Sequence, residues 1–308
     1  MTVRVGAIDL GTNSTRLLVA DVEDGRVREV GRGLRITRLG EGVDERRRLL
    51  PEPVARVRNV LSEYRRELDR LGAERTLAVA TSAVRDAENG EAFLGEVEWS
   101  YGFTTRLLSG DDEALLTFRG VNAGRAIVPG TLIVDIGGGS TELILGGPGG
   151  VAHHESLDVG CVRLTERFGE DTGAAGGYVA GLLPELDVRA AIGVAGTITA
   201  LAALDLGLRD YDPERVHGHV LTAAAVDEQL RRLAALPLDE RRRVPGLEPE
   251  RAPVIVAGAA ILSEVLRRYG LTAIEASEHD ILHGTALAAA EHPRPVEGDV
   301  PPGAYTCC

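Results

Sequence analysis

The 308-residue sequence has no lysine: all 34 of its basic residues are arginine. A Walker-type phosphate loop needs its lysine and a Schiff-base enzyme needs its amine, so both classes are excluded. Cysteine is nearly as scarce, with only Cys161, Cys307 and Cys308. Adjacent cysteines cannot staple a fold and no second pair offers zinc spacing, which points to a reducing compartment and predicts a cytoplasmic protein. The longest apolar stretch, residues 252–262, contains Pro253 and is too short to span a bilayer, so no membrane partner is expected. Residues 3–8 already read as a strand, leaving no room for a signal peptide. A net charge of −13 argues against DNA or RNA as a partner. It leaves a small or linear phosphate substrate open, because a few arginines, a cation and inward-pointing amides can make a cleft locally positive.

What is there is a sequence that repeats itself. Residues 8–18, Ile-Asp-Leu-Gly-Thr-Asn-Ser-Thr-Arg-Leu-Leu, return at 134–144 as Val-Asp-Ile-Gly-Gly-Gly-Ser-Thr-Glu-Leu-Ile. Both copies read as a strand, a tight polar turn and a second strand. An aspartate at the exit of a buried strand offers its carboxylate to a metal ion or its waters, while Gly and small hydroxyl residues let backbone amides close around an anion. One such turn is an ordinary hairpin feature. Two in register, each keeping Asp, Gly, Ser and Thr, suggest two half-molecules facing a phosphate.

The 44% hydrophobic and 26% charged composition is that of a globular protein long enough for two domains. After the first hairpin the pattern predicts a strand at 27–30 and a long amphipathic helix. Val54, Val57, Leu61, Tyr64, Leu68 and Leu71 recur at spacings of three and four, Pro51 and Pro53 mark its entry and Gly72 its stop. A buried strand at 76–80, a short helix near Ala92, a strand to Leu108 and a helix over 111–121 complete the first half. The second half repeats the plan. Strands at 131–135, 141–145 and 151–155 precede a helix at 163–168, a strand at 192–194 and a helix at 199–206. Helices at 223–235 and 255–269, a strand at 273–276 and a helix at 281–291 close it. Each half buries a mixed sheet between helices, an α/β architecture. The cluster of Gly124, Pro129 and Gly130 puts the boundary near 125, giving domains at 1–125 and 126–292 and a disordered tail at 293–308.

Several residues could carry chemistry. Glu113 opens a predicted helix behind Ser109, where a carboxylate also serves simply to offset the helix dipole. Glu142 stands where the first copy has Arg16, a swap that breaks the symmetry of the duplication. Arg85 follows a buried strand, with Thr81 and Ser82 on the turn, and offers a planar fork for two phosphate oxygens, though a surface role is the default for any one arginine. Residues 194–199 form a third small-residue turn at a helix start, which can cap the helix or hold an anion. His279 and His283, four apart, sit on one helical face and mimic an HD-type metal dipeptide, but the strand running into His279 speaks against that fold. His217-Gly218-His219 reads as a polar loop, and His153 and His154 have no assignment.

The motifs AIDLGTNSTRLLV (7–19), ATSAVR (80–85), SGDDEALL (109–116) and IVDIGGGSTEL (133–143) resemble those of the exopolyphosphatase and guanosine pentaphosphate phosphatase family within the actin-like ATPase superfamily. So do LDVGCVRLTERF (157–168), GVAGTITALA (193–202) and AGAAIL (257–262). The resemblance covers most of the chain, in order. It implies two actin-like (ribonuclease H-like) domains, each a mixed sheet flanked by helices, with the active site in an interdomain cleft. It implies that Glu113 is the general base and Glu142 a second catalytic acid. Asp9, Asp135 and Glu142 would surround Mg²⁺ or another divalent cation. Thr12, Asn13, Ser14, Ser82, Arg85, Gly137, Gly138, Gly139, Ser140 and Thr141 would hold phosphates. Asp112 departs from the pattern, since many relatives carry a second Glu there, and the helical C-terminal region of longer exopolyphosphatases is missing. The expected reaction is release of terminal orthophosphate from inorganic polyphosphate; the alternative is 5′-hydrolysis of guanosine pentaphosphate (pppGpp), with an actin-fold kinase or a non-enzymatic ligand sensor further behind. Oligomeric state is open, a homodimer being one option.

Overall fold

The computed structural model describes residues 2–123 and 125–292; the tail expected at 293–308, with Cys307 and Cys308, lies outside them. The chain divides into two compact units.

The first unit begins with β1 (Val3–Leu10), β2 (Ser14–Glu23) and β3 (Arg26–Ile36), an antiparallel meander. There follow α1 (Val43–Arg46), α2 (Pro51–Leu71), β4 (Arg75–Ala80), α3 (Ser82–Arg85), α4 (Gly90–Tyr101), β5 (Thr104–Leu107) and α5 (Gly110–Asn122). The sheet order is β3-β2-β1-β4-β5, with β4 parallel to both β1 and β5. β1 is central and buried on both faces, which its near-continuous apolar run anticipates. The edge strand β3 turns Arg26, Arg28, Arg32 and Arg35 to solvent, charges that discourage edge-to-edge pairing. α2 buries Val54, Val57, Leu61, Tyr64 and Leu68 as its spacing predicts, and the Tyr64 hydroxyl donates to the Thr15 carbonyl at 3.0 Å.

The second unit contains β6 (Thr131–Ile136), β7 (Thr141–Gly147), β8 (Gly150–Leu157), α6 (Cys161–Phe168), α7 (Thr172–Ala180), β9 (Ala190–Val194) and α8 (Ala195–Asp205). It continues through α9 (Pro213–Val216), β10 (Val220–Thr222), α10 (Ala223–Ala234), α11 (Leu238–Arg241), α12 (Ile255–Arg268) and β11 (Ala273–Ala276). The order β10-β11-β9-β6-β7-β8 again sets an antiparallel meander, β6-β7-β8, beside parallel neighbours, β9 and β11. No described helix in either unit is long and apolar enough to cross a membrane.

The last helix, α13 (Ile281–Glu291), corrects the expected domain limits. It belongs with the first unit, and the second ends at Asp280. Ile281, Leu282, Ala286 and Leu287 pack into a core with Val3, Val5, Leu77 and Leu116. The approach to α5 is close because residue 284 is glycine: a Cβ there would lie 1.9 Å from the Leu116 carbonyl oxygen. Helical spacing shows that a face is buried but not against which partner.

Candidate active site

The duplicated hairpins are alike to the hydrogen bond. The Gly11 amide donates to the Ser14 carbonyl at 3.0 Å, and the Gly137 amide to the Ser140 carbonyl at the same distance. In each unit the chain leaving the third strand ties off the turn's carbonyls. Asn13 O accepts from the amides of Thr37 and Arg38, and Thr12 O from Gly40. Gly137 O accepts from Cys161, and Gly138 O from Val162 and Arg163. With these carbonyls engaged, each turn is held rigid. Thr12, Asn13, Ser82, Ser140 and Thr141 are all buried.

Beside each turn lies the end of the next parallel strand. Leu10 pairs with Ala80, so the first turn neighbours α3, and Thr12 Oγ1 meets Ser82 Oγ at 2.9 Å. Asp135 pairs with Val194, so the second turn neighbours the start of α8.

The first unit brings Arg85 and Glu113 together. Arg85 Nη1 donates to the Leu108 carbonyl at 2.9 Å and to Glu113 Oε2 at 3.3 Å. Three acids open α5, and two of them, Asp112 and Glu113, have separate tasks. Ser109 and Asp112 form a reciprocal capping box at the N-terminus. Burial alone would raise the Asp112 carboxyl, but its hydrogen bonds with Ser109 and the charge of Arg106 bring it below its ordinary value. Asp112 is therefore the capping acid, and Glu113, only 6% exposed, turns inward to Arg85. A carboxylate that merely offset the helix dipole would have no reason to be buried.

Asp9 and Arg16 face each other across β1 and β2, with Arg16 Nη2 2.7 Å from Asp9 Oδ2. In the second unit the same register sets Asp135 opposite Glu142, two carboxylates that are 7% and 1% exposed. Directly opposed residues share a face of the sheet about 4.5–5.5 Å apart at Cβ, where like charges destabilise. The Ser156 hydroxyl donates to Glu142 Oε1 at 3.0 Å. Among the described residues no group of three His, Cys, Asp or Glu side chains gathers at metal-ligand spacing. Hard carboxylate oxygens are nonetheless the donors Mg²⁺ takes, and it commonly completes its shell with water and substrate phosphate.

One arginine escaped sequence reasoning. Arg251 lies against the first turn of α8, where a Cβ on Gly196 would be 1.9 Å from its Nη1. Ala195, just before, holds φ = 66°, a left-handed conformation costly for a non-glycine residue. Arg251 Nε donates to Glu248 Oε2 at 2.6 Å, while its Nη side lies at the positive end of the helix, where an anion is favoured. Beside it the buried Cys161 thiol is pushed up to about 11 by burial, against the opposing effects of Arg251 and Thr197. Nothing in the sequence pattern distinguished Arg251 from the other arginines.

The histidines do not form the pair their spacing suggested. His279 precedes α13 and its ring lies tilted against that of His217, centroids 4.6 Å apart, so it shares no helical face with His283, which is buried within α13. His219 bonds Asp205 at 2.7 Å and the Gly218 amide donates to Ala276, as befits a polar loop.

Two mixed sheets of the actin-like class, each opening with an acid-ended strand and a rigid polar turn, mark a phosphate-handling enzyme. The chain belongs to the Ppx/GppA phosphatase family, whose model matches residues 18–291. It is similar to exopolyphosphatase 2 of Mycobacterium tuberculosis, at 39% identity over 93% of this chain and 98% of that protein. It is 30% identical to the guanosine-5′-triphosphate,3′-diphosphate pyrophosphatase of Vibrio vulnificus over 91% of this chain, which spans 58% of that protein. Its structure resembles the crystal structure of the Aquifex aeolicus family member, with a TM-score of 0.79 and 31% identity over 95% of this chain and all (100%) of that one.

Proposed function

We propose that the protein is an exopolyphosphatase that releases terminal orthophosphate from inorganic polyphosphate in the cytoplasm, with a divalent cation, Mg²⁺ by the chemistry of its ligands. The observation that carries the reading is the buried Glu113 held against Arg85 at the mouth of α5.

Glu113 orients a water molecule and accepts its proton as the water attacks the terminal phosphorus; the anhydride bond breaks, orthophosphate departs and the chain is one phosphate shorter. Arg85 steadies the Glu113 carboxylate and presents its remaining guanidinium hydrogens to phosphate oxygens. Thr12, Asn13, Ser14 and Ser82 in the first unit, and Gly137, Gly138, Gly139, Ser140 and Thr141 in the second, offer amides and hydroxyls to the anion. Arg251 and the start of α8 extend that capacity. Asp9, Asp135 and Glu142 are the carboxylates to hold the cation, which when bound would offset charge on the phosphate oxygens. Glu142, beyond that role, is the second catalytic acid.

Similarity to the Vibrio vulnificus pyrophosphatase favours a second reading, hydrolysis of the 5′ terminal phosphate of guanosine pentaphosphate, which presents the same anhydride. Phosphate release measured side by side on polyphosphates of several lengths and on the nucleotide tests both. A kcat/KM at least tenfold higher on polyphosphate supports the first reading; the reverse ratio selects the second, and turnover on neither removes both.

A further inference from the structure

In a chain of net charge −13, three consecutive arginines, Arg46, Arg47 and Arg48, stand exposed at the end of α1. Such a run repels itself, and its cost is lowest when a polyanion lies on it. Its surroundings hold it in place. The Arg47 amide donates to the Val43 carbonyl at 2.8 Å, and the buried Val43 and Leu49 anchor the segment on either side. The Arg47 carbonyl accepts from the Glu88 amide at 2.8 Å. The Asn89 side chain clamps Leu49 from both directions, accepting from its amide at 2.8 Å and donating to its carbonyl at 3.1 Å.

Both ends of this segment lead to the candidate site. Upstream, residues 37–40 are hydrogen-bonded to the carbonyls of Thr12 and Asn13, and exposed Arg38 lies within that stretch. On the other side, Glu88 is three residues beyond Arg85, so their Cα atoms are at most about 10 Å apart. The nearby acids are Glu88 itself, Glu52 in the first turn of α2, Glu41, which pairs with Arg56 at 2.8 Å, and Asp44 and Glu45 in α1. The arginine run follows Asp44 and Glu45, on the side tied to Glu88.

We infer that Arg46, Arg47 and Arg48, with Arg38, form a fixed cationic rail for the phosphates of a substrate chain that lie beyond the one being cleaved, and so favour long polyphosphates over short ones. The inference rests on the exopolyphosphatase reading and deepens it.

The test compares wild type with the triple variant Arg46→Gln, Arg47→Gln, Arg48→Gln and with the corresponding triple Lys variant. Each is assayed on tripolyphosphate and on polyphosphate of several hundred units, at two salt concentrations, with thermal unfolding as a folding control. The rail predicts that the Gln variant raises KM for the long chain at least tenfold and weakens its salt dependence. Its kcat and its KM for tripolyphosphate stay within twofold of wild type, and the Lys variant recovers most of the long-chain KM because charge rather than fork geometry is what counts. An equal KM change for both lengths, or none for either, overturns the rail and leaves the exopolyphosphatase reading standing. Absence of wild-type turnover on any polyphosphate overturns that reading, and the rail with it.

Discussion

Glu142 stands directly across the β6–β7 ladder from Asp135, in the register that sets Arg16 against Asp9 in the first unit. One hairpin thus carries an internal ion pair and its duplicate carries two carboxylates. The duplication thus divides by charge: the aspartate of the first hairpin faces arginine and that of the second faces glutamate.

Relieving the like charges tests this division. Glu142→Gln should raise the unfolding temperature in metal-free buffer by a few degrees, in proportion to roughly 0.2–1 kcal/mol of cross-strand repulsion. Mg²⁺ should raise the unfolding temperature of the wild type and leave that of the variant unchanged. Differential scanning calorimetry with and without Mg²⁺ reads both, and an unchanged Mg²⁺ response would remove Glu142 from the cation's ligands.

The Arg85 and Glu113 pair should behave as a unit. Arg85→Ala should cost roughly 1–3 kcal/mol, because it removes a guanidinium that donates to a buried carboxylate. Adding Glu113→Ala should cost less than the sum of the singles, with a coupling of about 0.5–3 kcal/mol. A double-mutant cycle in urea would show the coupling; strict additivity would mean that the 3.3 Å contact is incidental.

Gly284 fixes the seat of α13. Gly284→Ala forces the helix off the Leu116 carbonyl and should destabilise the protein by roughly 1–3 kcal/mol, as overpacking does. Chemical denaturation measures it, and a neutral substitution would mean that α13 does not hold its close seat on α5.

Cys161 should shape the alkaline limb of stability. Its folded-state value of about 11 lies above the ordinary thiol value of 9.0, so its contribution is complete below pH 9 and is lost as the pH rises through 11. Burial also pushes up Tyr64 and brings Tyr269 to about 12, and both add to the same limb. The difference between wild type and Cys161→Ala isolates the thiol: the variant's stability should fall less steeply between pH 9 and 11. Parallel profiles would contradict the assignment.

The fold was largely legible because its strongest signals are local. The repeated hairpin, the α2 stripe and the strand-first plan of each half all appear as spacing. α7 was missed because Gly173, Gly176 and Gly177 suppress helix propensity within it, and tertiary contacts override that weak preference. α8 was expected from 199 and begins at Ala195, because the small-residue turn is already its first turn. Limits of the units were misplaced for a different reason: α13 follows the second unit in sequence, yet its partner is Leu116, far away in the chain. For the site, spacing alone gave the two turns, whereas Glu113 needed the family resemblance, since a helix-opening acid is ordinary. Arg251 needed coordinates, because its role comes only from what it lies against.

The most direct test is phosphate release from polyphosphate by Glu113→Gln, an isosteric change that keeps the Arg85 contact. Turnover should fall on the order of 10²–10⁴-fold while the unfolding temperature stays within a few degrees of wild type. Near-normal turnover by a folded Glu113→Gln protein would contradict the account.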